Sequence, residues 1–149
     1  MYTAIVLNED SQKALRDLLG DPYTDTSSGW EIVCHHVTIC MGRMKGKYPF
    51  QLGEEVKIEI IGAGKAHGFD IPIAKRKEIP IEAEVAFAAA VKLPEGKHVK
   101  NVVPHITLAV NRAVGGKPFH SNNANWVYYQ KGGSLDPEIT LKGIVQECN

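Results

Sequence analysis

The chain has 149 residues, 44% of them apolar, which is enough for one domain with a real core. Lys and Arg number 17 and Asp and Glu 17, a net charge of +0 that argues against a grip on long nucleic acid and favours a small or short anionic ligand. Three cysteines outside any CxxC or zinc-finger spacing, an N-terminus (MYTAIVLNED) with no basic n-region, and no apolar run near the ~18 residues of a membrane span predict a cytoplasmic protein with reduced thiols and neither signal peptide nor membrane span.

In chain order, Tyr2–Leu7 reads as a short strand. Ala14, Leu15, Leu18 and Leu19 recur at helical spacing after the capping residues at 8–11, and Gly20 supplies a stop, so Ser11–Leu19 is an expected amphipathic helix. A polar loop, 21–29, leads to the strand-like run Trp30–Met41, and a basic loop with Arg43, Lys45 and Lys47 follows. Glu55–Ile61 alternates charged and apolar residues as a strand does; Gly62–Gly68 reads as a flexible loop and Phe69–Ile73 as a further short strand. Ile81–Val91 has the alanines of a helix, but Pro80 and Pro94 bound it among strand candidates, and strand is the expectation. Val102–Val110 is a strand, Asn122–Gln130 a short helix, and Ile139–Val145 the last strand. Many strands, few helices and no regular βαβ alternation predict an α+β domain spanning 1–149.

Two stretches carry the chemistry. VCHHVTIC at 33–40 and VVPHITLAV at 102–110 each place a histidine and a threonine two residues apart in an apolar run. Side chains alternate faces along a strand, so His36 and Thr38 share one face while Val37 and Ile39 take the other; His105 and Thr107 share a face opposite Ile106 and Leu108. The copies keep one offset: 105 − 36 = 69 and 107 − 38 = 69. Each strand thus buries its aliphatic side and shows an imidazole and a hydroxyl, which suggests two lobes sharing one cleft. Imidazole titrates near neutrality, so one neutral ring can take a proton from a nucleophile while a charged one gives a proton to a leaving oxygen. Threonine hydroxyls can donate to the non-bridging oxygens between them. This arrangement suits phosphodiester chemistry, and it demands no metal or other cofactor. A single His-x-Thr is more often a satisfied core feature; two copies reverse that balance.

Cys34, His36, Thr38 and Cys40 share a face as well, but every-second positions on a strand lie about 6.6 Å apart, too far to converge on one zinc at bonds of ~2.0–2.3 Å. His35 falls on the opposite face, in a structural role. Trp30 shares the parity of His36 and could reach a base, against the alternative of core packing. The basic residues of 43–47 and Lys75-Arg76-Lys77 read as solvated surface, and Trp126, Tyr128 and Tyr129 as a helix face on the core. His67, His98 and His120 receive no role, and Gly62-x-Gly64 is not a phosphate-binding fingerprint.

His36-Val-Thr38-Ile39 and His105-Ile-Thr107-Leu108 resemble the paired motifs of the 2H phosphoesterase superfamily, which includes the LigT-like cyclic phosphodiesterases. GWEIVCHHVTICMG, PHITLAVN and GGKPFHSNNANW are similar to the phage anti-CBASS nucleases, a likeness running from Tyr2 to the last strand. The resemblance implies a bilobal fold, with two antiparallel sheets facing a cleft. It implies metal-independent cleavage of the cyclic di- and trinucleotides that bacteria use as antiviral signals, in the bacterial host cytoplasm, with no membrane and no obligate protein partner. His36 and His105 would be the acid–base pair, Thr38 and Thr107 the phosphate clamps, and a ribose 2′-hydroxyl the nucleophile. Tyr2 and Phe69 would stack the bases, Phe69 standing where a tryptophan is expected. A rival of the same chemistry would open 2′,3′-cyclic phosphates at RNA ends; a rival of another class would sequester nucleotides uncut.

Overall fold

A computed structural model describes residues 1–129 and 139–149. It is an α+β fold in which every strand pairing is antiparallel. The strands are β1 (Tyr2–Leu7), β2 (Trp30–Ile32), β3 (His36–Met41), β4 (Glu55–His67), β5 (Glu84–Lys92), β6 (His105–Asn111), β7 (Asn125–Tyr128) and β8 (Thr140–Cys148); the helices are α1 (Glu9–Asp17) and the single turn α2 (Ile73–Arg76). The sheet order is β2-β6-β3-β1-β8-β4-β5, with β7 on β4 and a further pairing of β5 to β6. That last pairing closes a ring of β6, β3, β1, β8, β4 and β5. Where two separate sheets were expected, one continuous sheet curls until its ends meet. No helix among the described residues is long and apolar enough to cross a membrane.

The core follows the alternation of the sequence. Ile5, Val37, Ile39, Ile106, Leu108, Ile58, Leu141 and Val145 are buried in one cluster, and α1 closes it with Leu15. The helix begins earlier than its apolar spacing suggested because Asn8 is the cap: its side chain accepts the Ser11 N–H at 2.8 Å. Ser11, inside the first turn, accepts the Lys142 N–H at 2.9 Å and ties the helix to β8.

Four expectations are corrected. Trp30–Met41 is two strands, broken at Cys34, whose φ of 46° turns the chain. The Val33 and Cys34 N–H groups donate to Leu108 and Thr107 carbonyls at 2.8 and 3.0 Å, so the break is hydrogen-bonded across to β6. Gly62–Gly68 is no flexible loop: β4 runs on to His67. Glycine stands there for close approach, since a Cβ at Gly62 would lie 2.5 Å from the Val127 carbonyl and one at Gly64 2.6 Å from the Trp126 ring. Phe69–Ile73 is not a strand but a 3₁₀ turn, Gly68–Asp70, followed by α2; the Asp70 carboxylate accepts the His67 N–H at 2.8 Å and starts the turn. The expected helix at 122–130 is instead the end of a 3₁₀ segment, Pro118–Asn123, and then β7, which pairs with 62–65 of β4; Gln130 lies outside the described residues. The alanine-rich run is a strand, β5, as expected: Ala89 and Val91 join the core, while Ala88 and Ala90 stand on the other face beside the motif strand β6.

Candidate active site

The two His-x-Thr strands are neighbours. β3 meets β6 in antiparallel register at Val37↔Ile106. Extending that register one residue each way sets His36 across from Thr107 and Thr38 across from His105, all four on the face away from the core. The hydroxyls and imidazoles thus form a square, with like groups on its diagonals, and a diagonal of this kind spans about 7–8 Å. β1 and β5 flank the square at matching positions, where Ala4, Ala88 and Ala90 are fully buried and small. A hollow of about 520 Å³ lies over it, lined by His36, Thr38, His105 and Thr107 together with Tyr2, Lys100, Asn101 and Phe119.

The two histidines differ in surroundings. His105 is buried, its Nδ1–H donates to the Val103 carbonyl at 2.9 Å, and its ring lies 5.4 Å from that of Trp126. That bond leaves Nε2 as the free nitrogen and orients the ring. His36 is half-buried, with its Nδ1 3.0 Å from Nδ1 of His35 and its ring 5.1 Å from that of Tyr2. One of those two Nδ1 atoms carries the shared proton; when it is that of His36, its Nε2 is an unprotonated base. Burial first, then the neighbouring rings of His35 and His105, push the His36 pKa down to about 4. Burial also lowers that of His105, opposed by the Val103 carbonyl, which favours a charged ring.

The threonines differ as well. Thr38 makes no side-chain hydrogen bond among the described residues. Thr107 lies 2.9 Å from the buried hydroxyl of Ser121 and 3.4 Å from the Pro118 carbonyl. With Ser121 donating, the Thr107 proton goes to the Pro118 carbonyl, at a length of 3.4 Å that a ligand oxygen can better.

Of the residues expected to bind substrate, only Tyr2 lines this cleft. Trp30 packs edge-on against Tyr23 at 4.8 Å, because the turn at Cys34 breaks the strand parity that linked it to His36. Phe69 stacks on His67 at 4.9 Å on the 3₁₀ turn and does not line the cleft. His35, expected on the opposite face in a structural role, hydrogen-bonds directly to His36. Sequence reasoning missed Trp126, Ser121, Lys100, Asn101 and Phe119. The one sequence signal was that Lys100 and Asn101 sit just before the second motif, where the Lys100 N–H donates to the Ile39 carbonyl at 2.8 Å and clips that segment to β3.

The cysteines are free, and burial raises the Cys34 thiol to about 11, which keeps it protonated and inert. Among the described residues no three His, Cys, Asp or Glu side chains group as a metal cage. No family model, curated protein or solved structure matches the chain.

Proposed function

We propose that the chain is a metal-independent phosphodiesterase of the 2H type that cleaves the 3′–5′ linkages of cyclic di- and trinucleotide signals, and so lets a phage evade CBASS defence in the bacterial host cytoplasm. The observation that carries the reading is the register of β3 on β6: Val37↔Ile106 brings both His-x-Thr motifs to one face under one cleft. On this reading the two halves of the curled sheet, meeting at β3 and β6, are the two lobes of the 2H fold.

The chemistry then follows from the environments. A phosphodiester seated in the square has a histidine on each side and a threonine hydroxyl at each remaining corner. His36, held neutral, takes the proton of the ribose 2′-hydroxyl through Nε2. The 2′-oxygen forms a bond to phosphorus, the bond from phosphorus to the 5′-oxygen breaks, and His105 donates its proton to that oxygen. The product is a 2′,3′-cyclic phosphate and a free 5′-hydroxyl. Thr38 and Thr107 donate to the non-bridging oxygens as their charge grows. Burial lowers both rings; His36 is the base because two neighbouring rings oppose its charging further, and His105 the acid because the Val103 carbonyl supports its charge against burial. Tyr2, beside His36, offers a face for a base, worth about 1–3 kcal/mol per stacked base.

A second reading, cleavage of 2′,3′-cyclic phosphates at RNA ends, draws support from a cation in the cleft, since Lys100 lines it. Incubation with a panel of cyclic di- and trinucleotides and with RNA carrying a cyclic-phosphate end, in EDTA, followed by mass spectrometry of the products, separates the readings. The first expects linear products from the rings. Activity on RNA ends alone would replace it with the second, and recovery of intact nucleotide from denatured complex would leave only sequestration.

A further inference from the structure

A second hollow, about 630 Å³, lies beside the catalytic one. The two share a wall, the 3₁₀ segment Pro118–Asn123, with Phe119 lining both. Successive residues of this wall face opposite ways. Ser121 and the Pro118 carbonyl hold Thr107 on the catalytic side, while Lys117 and His120 line the neighbouring hollow. Phe119, 54% exposed, stands at the crest between them.

The second hollow is built for an anion. Lys75, Arg76, Lys77 and Lys117 line it with one carboxylate, Glu78, in a chain whose charges balance overall. Arg76 is half-buried and spends one donor, Nη2, on the Ile71 carbonyl at 3.1 Å, while its buried Nε–H has no acceptor among the described residues. A buried guanidinium N–H without an acceptor is costly, and an arginine with donors to spare suits phosphate. His120 is 3% exposed, and its Nδ1 accepts the Lys117 N–H at 3.0 Å. Its ring proton is therefore on Nε2, which has no protein acceptor among the described residues. The opposite flank, at Lys45 and Lys47, has no such group, and Arg43 there is drawn to Glu147 at 3.7 Å.

We infer that this hollow binds a second phosphate of the substrate, the one next to the phosphate being cut, with the intervening base resting on Phe119. The inference rests on reading the neighbouring cleft as a phosphodiester-cleaving site. It makes the substrate an oligonucleotide with at least two phosphates, in a ring or along a strand.

Deoxyribose dinucleotides test it, because without a 2′-hydroxyl they stay intact and report binding whether or not the cleft cuts; cleavage itself is read from the product panel. Calorimetric titration at low salt compares d(ApA), with one phosphate, with the same dinucleotide carrying a terminal phosphate at either end, and with the cyclic deoxy-diadenylate. The second phosphate should tighten binding roughly tenfold, the scale of one charge-assisted hydrogen bond. Arg76→Gln and the exposed Lys117→Gln should each reduce that gain and leave d(ApA) affinity unchanged, while Lys47→Gln should leave the gain intact. A gain confined to the ring, or to the terminal phosphate, supports the site and names its source. No gain from either ligand, a gain that survives both substitutions, or an equal loss of d(ApA) affinity would overturn the inference.

Discussion

The two His-x-Thr motifs are alike in sequence and unlike in surroundings. The β6 copy is tied down: His105 donates to the Val103 carbonyl and lies against Trp126, and Thr107 is held by Ser121. The β3 copy is freer, with Thr38 unengaged among the described residues and His36 bonded only to its neighbour His35. A repeated motif therefore does not make a symmetric site. Burial resists a proton on both rings; the neighbouring rings add to that at His36, and the Val103 carbonyl opposes it at His105.

The largest effect that would break the comparison is loss of either ring. His36→Ala or His105→Ala should lower turnover by roughly 10²–10⁴-fold, the scale of general acid–base catalysis, with an unchanged circular dichroism spectrum. Loss through one histidine alone would end the two-ring account.

Acid should act on stability through His36. Its folded pKa of about 4 lies below its unfolded value near 6.5, so the neutral ring contributes stability above pH 6.5 that is lost as the pH falls toward 4. The loss through this group is at most about 3 kcal/mol. Denaturant titrations across that window should show it in the wild type and show less of it in His36→Asn; parallel curves would refute the assignment.

Gly64→Ala should strike the other copy. The new methyl meets the Trp126 ring, which packs against His105, so unfolding free energy should fall by about 1–3 kcal/mol. Gly20→Ala, with nothing within 4 Å of the added carbon, should change it by less than about 0.5 kcal/mol. Ser121→Ala should leave Thr107 held by the Pro118 carbonyl alone and lower kcat/KM by roughly fivefold, one neutral hydrogen bond. The smallest effect is a shift in a pH profile. Wild-type kcat/KM should peak on the acid side of neutrality, because His36 must be neutral and His105 charged while both are lowered. His35→Ala removes a ring that opposes charging of His36, so the acidic limb should move to higher pH; an unmoved limb would mean that His35 has no part in holding His36 neutral.

Much of the sheet was legible because alternation is a local signal. Val37, Ile39, Ile106 and Leu108 are buried as their parity demands, β1 and β6 lie in the apolar runs that suggested them, and β5 lies between its bounding prolines. Failures came where a distant residue overrode a local one. The glycines of 62–68 looked like a loop because nothing in that stretch announces the backbone of β7 pressing on it. Trp126 looked like a helix face because its partner is 21 residues upstream, at His105. Parity carried Trp30 to the wrong place because Cys34 adopts a positive φ that its own side chain does not require.

By itself the sequence determined the α+β class, the strands' buried faces, and that two imidazole–hydroxyl pairs stand on the faces of two strands turned away from the aliphatic core, since the two-residue period of a strand is fixed by its own backbone. Only the tertiary structure decided that those strands are neighbours in a register that squares the four groups, which groups act on the charge of each ring, and that a cationic hollow adjoins them. Those depend on pairings between residues tens of positions apart, which no local period encodes.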